Sequence, residues 1–295
     1  MKIIVLGNEG KLGRELEDFL SKNFQVFGFN KKKLDITNSV LLKERINEIK
    51  PKVIINAAAF TDVEQSELRK NFVMNVNGNS LLQLSEIVKN KKIWLIHFST
   101  DYVFDGFQKS PYSESKEPNP LNIYGKSKLL GEQNIINSGC KFVIFRISFL
   151  ITKRGKDFLS TALNKIIKKN KMFFVNDQFC VPTSSDLINK VILVALKMIY
   201  QGKMKPGIFH LVPDGVTSPY EMALLILKYL KQFKFKNINN KYIMPINSND
   251  FISTVKRPQN CLLLNEKLKH VFKMNLRSWK YDFIKILKKH LIMYY

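Results

Sequence analysis

Tyr124 and Lys128, in the run Tyr124-Gly125-Lys126-Ser127-Lys128, have the spacing of an acid–base pair. Four residues apart on a helix, two side chains stand one turn apart on the same face. A free tyrosine, with a pKa of roughly 10, is a poor acid or base at neutral pH, but a neighbouring ammonium favours its phenolate. Tuned in this way, Tyr124 becomes a usable general acid and base. The spacing alone recurs by chance in many proteins. A second chemical group comes from His97-Phe98-Ser99-Thr100-Asp101, which ends an apolar run. The Thr100 hydroxyl is suited to donate to a carbonyl oxygen and so fix reaction geometry, although Ser99-Thr100-Asp101 also reads as a helix-capping turn. His97 lies within the apolar run and reads as a hydrogen-bonded core residue, not a catalyst.

These groups need a positioning frame, and the first half of the chain supplies one. Strands are expected at Lys2–Leu6, Phe24–Gly28, Lys52–Ile55, Ile93–Phe98 and Lys141–Arg146. Helices are expected between them at Lys11–Lys22, Asn38–Glu48, Arg69–Lys89 and Asn122–Asn137. That alternation is the pattern of a doubly wound parallel α/β sheet of the Rossmann type. Beyond Ile151 the rhythm loosens: helix at Lys156–Lys169, strand at Phe173–Val175, helix at Ser185–Tyr200, strand at Ile208–Val212, then helices at Pro219–Lys231 and Trp279–Leu291. The reading is a dinucleotide-binding domain of residues 1–150 plus about 176–212. A smaller, mainly C-terminal substrate-binding domain takes about 151–175 plus 213–295.

Directly after the first strand comes Gly7-Asn8-Glu9-Gly10-Lys11-Leu12-Gly13, opening the first helix. Glycines there allow a tight turn, close approach of a pyrophosphate and tight helix–strand packing, while the helix N-terminus offers free N–H groups to phosphate. A nicotinamide cation bound beside Tyr124 would add to the pull on its phenolate. At the end of the second strand, Asn30-Lys31-Lys32-Lys33 stands where an acid would select NAD. NADPH is therefore the expected cofactor, with NADH left open. Asp35 and Ile36 could meet the adenine, as acceptor and apolar wall. Asn56-Ala57-Ala58-Ala59 has small side chains that let a cofactor lie against the backbone.

The chain has 295 residues, 45% of them hydrophobic, enough for one large core or two modest ones. Its net charge of +24 is diffuse, since only seven of 48 basic residues are Arg and Lys occurs in every segment. Solvated lysine faces that favour anionic small molecules, and not a nucleic-acid partner, are the expectation. No run approaches the roughly 20 apolar residues of a membrane helix, and no signal peptide is evident, so a cytoplasmic location without membrane insertion is expected. Three widely spaced cysteines suit a reducing compartment and give no zinc pattern, so no metal is expected.

Taken in order, these motifs resemble the extended short-chain dehydrogenase/reductase superfamily. Ile-Ile-Asn-Ala-Ala-Ala at 54–59, Ser-Thr-Asp-Tyr-Val-Phe at 99–104 and Pro-Leu-Asn-Ile-Tyr-Gly-Lys-Ser-Lys at 120–128 narrow the resemblance to the dTDP-4-dehydrorhamnose reductase family. Asn-Asp-Gln-Phe at 176–179, Pro-Thr at 182–183 and Arg-Pro at 257–258 add to it outside the cofactor motifs. The resemblance implies a Thr100, Tyr124 and Lys128 triad, with Asn75 supporting the lysine through water. It implies cofactor contacts at Gly10, Lys11, Leu12, Asp35, Ile36, Ala59, Phe60 and Thr61, and sugar contacts near Thr100, Asp101, Phe149 and Arg257. The implied reaction is reduction of the C4 keto group of a nucleotide-linked sugar. Some relatives dimerise around magnesium, and Glu15 matches one acidic position, which leaves a homodimer open. Phe149 stands where the family has tryptophan, Cys180 where it has glycine and Cys261 where it has serine. Reduction or epimerisation of a different nucleotide sugar, or a non-catalytic NADP-binding regulatory subunit, therefore stay open.

Overall fold

The computed structural model describes residues 1–154, 157–168, 170–233, 242–250 and 253–292. β-Branched and apolar runs make five parallel strands in the first half: β1 (Lys2–Leu6), β2 (Gln25–Phe29), β3 (Val53–Asn56), β4 (Trp94–Thr100) and β5 (Lys141–Ile147). Short strands follow at β6 (Leu150–Ile151), β7 (Met172–Val175), β8 (Thr183–Ser184), β9 (Gly207–His210) and β10 (Ile243–Ile246). The main sheet has six strands in the order β2-β1-β3-β4-β5-β9, all parallel. The chain leaves β1 for one edge and returns to the other side of β1 for β3. The tips of β1 and β3 thus flank a topological switch point, where such sheets bind ligands.

The helices are α1 (Lys11–Leu20), α2 (Ser39–Ile49), α3 (Val63–Leu68), α4 (Lys70–Met74), α5 (Ser80–Asn90), α6 (Ile123–Ser138), α7 (Phe158–Ile167), α8 (Ser185–Tyr200), α9 (Pro219–Gln232), α10 (Glu266–Phe272) and α11 (Trp279–Ile292). One sheet face packs Leu12 and Leu16 of α1 and Ile188 and Ile192 of α8 against Ile3, Val5, Val143 and Phe145. The other packs Leu42 of α2, Leu84 of α5 and Ile135 of α6 against Ile4, Ile54, Leu95 and Ile144. A third core joins Leu163 of α7, Ile226 of α9 and Phe283 of α11 to Phe174 and Ile243 of the paired strands β7 and β10.

The single helix expected over Arg69–Lys89 is instead α4, a turn of π-helix at Asn75–Asn79, and α5. A π turn closes i to i+5 bonds and so inserts one extra residue per turn, a device common at functional sites. Strand β10 and helix α10 were not expected. Leu268, Phe272 and Leu276, in and after α10, pack with α8 and β9 and not in the third core. The expected helix over Lys156–Lys169 is described as Phe158–Ile167; its two outer residues lie outside the described residues.

Candidate active site

Gly7, at the tip of β1, has φ +78°, a conformation that favours glycine. A Cβ there would come within 2.7 Å of Ala58 Cα, because the turn lies against the tip of β3. A Cβ on Gly13 would press still more closely on the Gly7 carbonyl. Gly10 caps α1 with an extended backbone and no side-chain bond, so the first N–H groups of the helix are open to a phosphate. Lys11 projects from this turn into a cavity of about 1290 Å³, and Leu12 is buried behind it. The cradle therefore fits a dinucleotide pyrophosphate.

The adenine end is less tightly formed. Asn30 spans the loop, donating to Glu9 at 2.6 Å and accepting from the Lys33 N–H at 2.8 Å. Lys31 and Arg69 both lie over the Phe72 ring, at 4.9 and 4.3 Å, which gathers two cations beside the lysine loop. One Asp35 oxygen accepts from the Thr37 N–H and hydroxyl at 2.9 and 2.8 Å, leaving the other toward Lys31. Ile36 is buried in the core under α2. Phe60 stacks edge-on against Phe72 at 5.7 Å, and Thr61 lines the cavity after Ala58 and Ala59.

Tyr124 enters from the first turn of α6, whose N-cap Asn122 accepts from the Gly125 N–H at 2.8 Å. Thr100 and Asp101 reach the same cavity from the tip of β4. Thr100 Oγ1 donates to Asp101 Oδ1 at 2.8 Å and accepts from the Tyr102 N–H at 3.2 Å. Burial pushes the Asp101 carboxyl up to about 6, against the downward pull of Ser148, Thr100 and Cys261. It also pushes the Tyr124 phenol up to about 12, opposed by its hydrogen bond with Thr100. Asp101 adds to the rise, and Lys128 does not contribute, so the lowering expected from the lysine is not seen in the protein alone.

Lys128 is 3% exposed and donates to the Phe98 carbonyl at 2.6 Å. Its Nζ also lies 3.1 Å from His97 Nε2. Burial is the main reason that its pKa falls to about 8, and Glu132 opposes the fall. Burial, followed by the Lys128 charge, holds His97 well below its ordinary value, so the ring is neutral.

Asn75 is exposed on the π turn, whereas Asn77 of the same turn is buried. Asn77 is 1% exposed; it accepts from the Phe60 N–H at 2.8 Å and donates to the Phe60 carbonyl at 2.9 Å and to Ser127 Oγ at 3.0 Å. It locks the β3 loop to the lysine helix.

Phe149 lines the far wall with φ +43° and meets Phe158 edge-on at 5.2 Å; Cys180 and Cys261 are buried on the same wall. Arg257 also lines it, donating to Glu64 at 2.7 Å and to Tyr102 Oη at 3.5 Å. Glu64, absent from the sequence reading, further accepts from Ser253 at 2.9 Å and Thr254 at 2.8 Å. It tethers the 253–257 loop to α3. Glu15 is committed internally, accepting from the Lys153 N–H at 2.7 Å and Ser185 Oγ at 2.8 Å, and so does not fit an interfacial metal. Among the described residues no group of three acidic, histidine or cysteine side chains could hold a metal ion, and no helix is long and apolar enough to cross a membrane.

Against known proteins, the family profile described as "RmlD substrate binding domain" matches residues 1–292. The chain belongs to this family. A dTDP-4-dehydrorhamnose reductase of Burkholderia thailandensis is 33% identical over 286 residues, covering 95% of this chain and 96% of the relative. The crystal structure of a Clostridium acetobutylicum dTDP-4-dehydrorhamnose reductase superposes with a TM-score of 0.88 at 30% identity, covering 98% of this chain and 100% of that one. The Bacillus anthracis enzyme, solved in complex with NADP, gives a TM-score of 0.88 at 28% identity, covering 98% and 99%. The family match spans both the glycine turn and the wall bearing Phe149 and Arg257.

Proposed function

We propose that this RmlD-family protein is an NADPH-dependent reductase of the C4 keto group of dTDP-4-dehydrorhamnose, yielding dTDP-L-rhamnose. The observation that carries the reading is one shared cavity: Lys11 of the glycine turn, Thr100 and Tyr124 all line it. A dinucleotide held at the turn, the Thr100 hydroxyl at the tip of β4 and the Tyr124 acid on α6 therefore meet in a single chamber. The names of the relatives support the substrate, and the NADP complex of the Bacillus anthracis relative supports the cofactor.

When bound, the nicotinamide supplies hydride. The protein's share is orientation and a proton. Thr100, steadied by Asp101 and the Tyr102 N–H, positions the carbonyl oxygen and the Tyr124 phenol. A phenol at about 12 keeps its proton at neutral pH and surrenders it to a developing alkoxide, which is the stronger base. Lys128 stands one helical turn behind Tyr124 to restore that proton. Gly7, Gly10, Gly13 and Leu12 form the pyrophosphate cradle, with Asn30, Lys31 and Arg69 facing the ribose phosphate. Phe149 and Arg257 take the sugar side.

We further assign residues 1–150 and about 176–212 to cofactor binding and most of the remainder to substrate binding. Helix α10 is the exception, being packed on the sheet.

The test is Tyr124→Phe. NADPH oxidation driven by dTDP-4-dehydrorhamnose should fall at least a thousandfold while NADPH affinity stays within threefold. An unchanged rate rejects the assignment, and turnover confined to a UDP- or GDP-linked keto-sugar rejects the substrate.

A further inference from the structure

Lys128 is joined to the cofactor side of the fold by a chain of buried side chains. Asn56, at the tip of β3, accepts from the Ala58 N–H through Oδ1 at 3.0 Å. That bond fixes which way its amide faces, so Nδ2 is the atom 3.1 Å from His97 Nδ1. An amide NH2 can only donate; His97 Nδ1 must therefore be a bare acceptor, and the proton of the neutral ring sits on Nε2. Nε2 faces Lys128 Nζ at 3.1 Å. An imidazole N–H aimed at that nitrogen is compatible with a lone-pair-bearing amine and opposes an ammonium.

We propose that Asn56 and His97 are positioning residues for Lys128: by holding the imidazole as its Nε2–H tautomer, they aim a donor at Nζ and favour its amine form. The lysine then parts readily with a proton in the reducing direction. The phenol gives its proton to the alkoxide, the lysine ammonium gives one to the phenolate, and water restores the ammonium, so each turnover consumes one proton. This role in turnover rests on the proposed reductase activity, whereas the tautomer and the lysine titration do not.

Among the titratable groups of the elements packed around Lys128, Tyr124 and Glu132 share its helix, and Asp101 follows β4. Arg146 on β5 is ion-paired with Glu132. His210 on β9 is held neutral, at about 3, first by burial and then by Arg146. Of these, Glu132 raises the lysine pKa and burial lowers it. The His97 donor acts in the same direction as burial.

The experiment is NMR of the full chain, with ¹⁵N-histidine for the His97 tautomer and ¹³Cε-lysine for the Lys128 titration. Wild type should show the Nε2–H tautomer from pH 5 to 9. In Asn56→Asp the carboxylate accepts from Nδ1–H, the ring reverses and presents a lone pair, and the Lys128 midpoint should rise by a unit or more. His97→Phe removes the donor without adding charge and should raise the midpoint by about half a unit or more. The double variant separates the direct charge of the introduced carboxylate from its effect through the ring and should rise less than the two single shifts combined. In the active enzyme the pH dependence of kcat should move with the titration. A wild-type Nδ1–H tautomer, or a midpoint unmoved in His97→Phe, overturns the proposal. Inactivity on keto-sugars with these shifts intact would instead count against the proposed function alone.

Discussion

The Arg146 guanidinium on β5 grips the Glu132 carboxylate of α6 through Nη2 at 2.6 Å and Nε at 3.0 Å, with both side chains almost sealed from water. Arg146 also lies over the Phe104 ring at 5.1 Å. The pair ties the lysine helix to the sheet. Removing one partner strands a buried charge, which typically costs about 3 to 5 kcal/mol. Arg146→Met and Glu132→Gln should each lower stability by that order in denaturant unfolding. A loss below about 1 kcal/mol would show that the pair is not holding α6.

Gly7→Ala should weaken NADPH binding more than tenfold, because its φ of +78° and its approach to Ala58 both exclude a Cβ. Gly139→Ala is the control. That glycine also has a positive φ, but its Cβ would meet only the Lys89 amine, at 3.7 Å. It should cost about 1 kcal/mol of stability and leave NADPH affinity unchanged in a fluorescence titration.

Asp101 carries a pH signature of known sign. Its carboxyl titrates at about 6 folded against 3.8 for the free group, so between these values the folded protein binds more protons than the unfolded chain. The stability contribution is therefore full below about pH 4 and lost as pH rises through 6. Asp101→Asn should abolish this loss and gain about 3 kcal/mol at pH 7 relative to wild type. Thermal unfolding of both proteins from pH 4 to 7 decides it, and parallel profiles would refute the assignment.

Glu64→Ala frees Ser253, Thr254 and Arg257 at one stroke. The side chain is 41% exposed, so the stability change should stay under about 1 kcal/mol. The keto-sugar KM should rise severalfold while NADPH affinity and kcat hold. A change confined to NADPH affinity would place the 253–257 loop on the cofactor side.

Much of the frame was legible because its signals are local. The strand before Gly7, the glycine turn and the Tyr124–Lys128 spacing each need only a few adjacent residues. Asn75 and Asn77 show where local reading ends. They lie two positions apart, on nearly opposite faces of an α-helix, and the π turn that carries both decides which one faces inward. Glu64 was out of reach for another reason: its partners lie about 190 positions away, and no periodicity announces such a bond. His97 was rightly read as a hydrogen-bonded core residue, yet its contact with Lys128 depends on how β4 and α6 pack. Helix α10 is only seven residues long, too short for a clear amphipathic repeat.

The lysine loop after β2 makes its bonds at the rim, to Glu9, Asp35 and the Phe72 ring. The buried chain from Asn56 to Lys128 runs instead from β3 through β4 to α6. The loop is accordingly an interchangeable part: a graft that exchanges Asn30–Lys33 for an acidic sequence would alter which dinucleotide is chosen and leave the proton machinery intact.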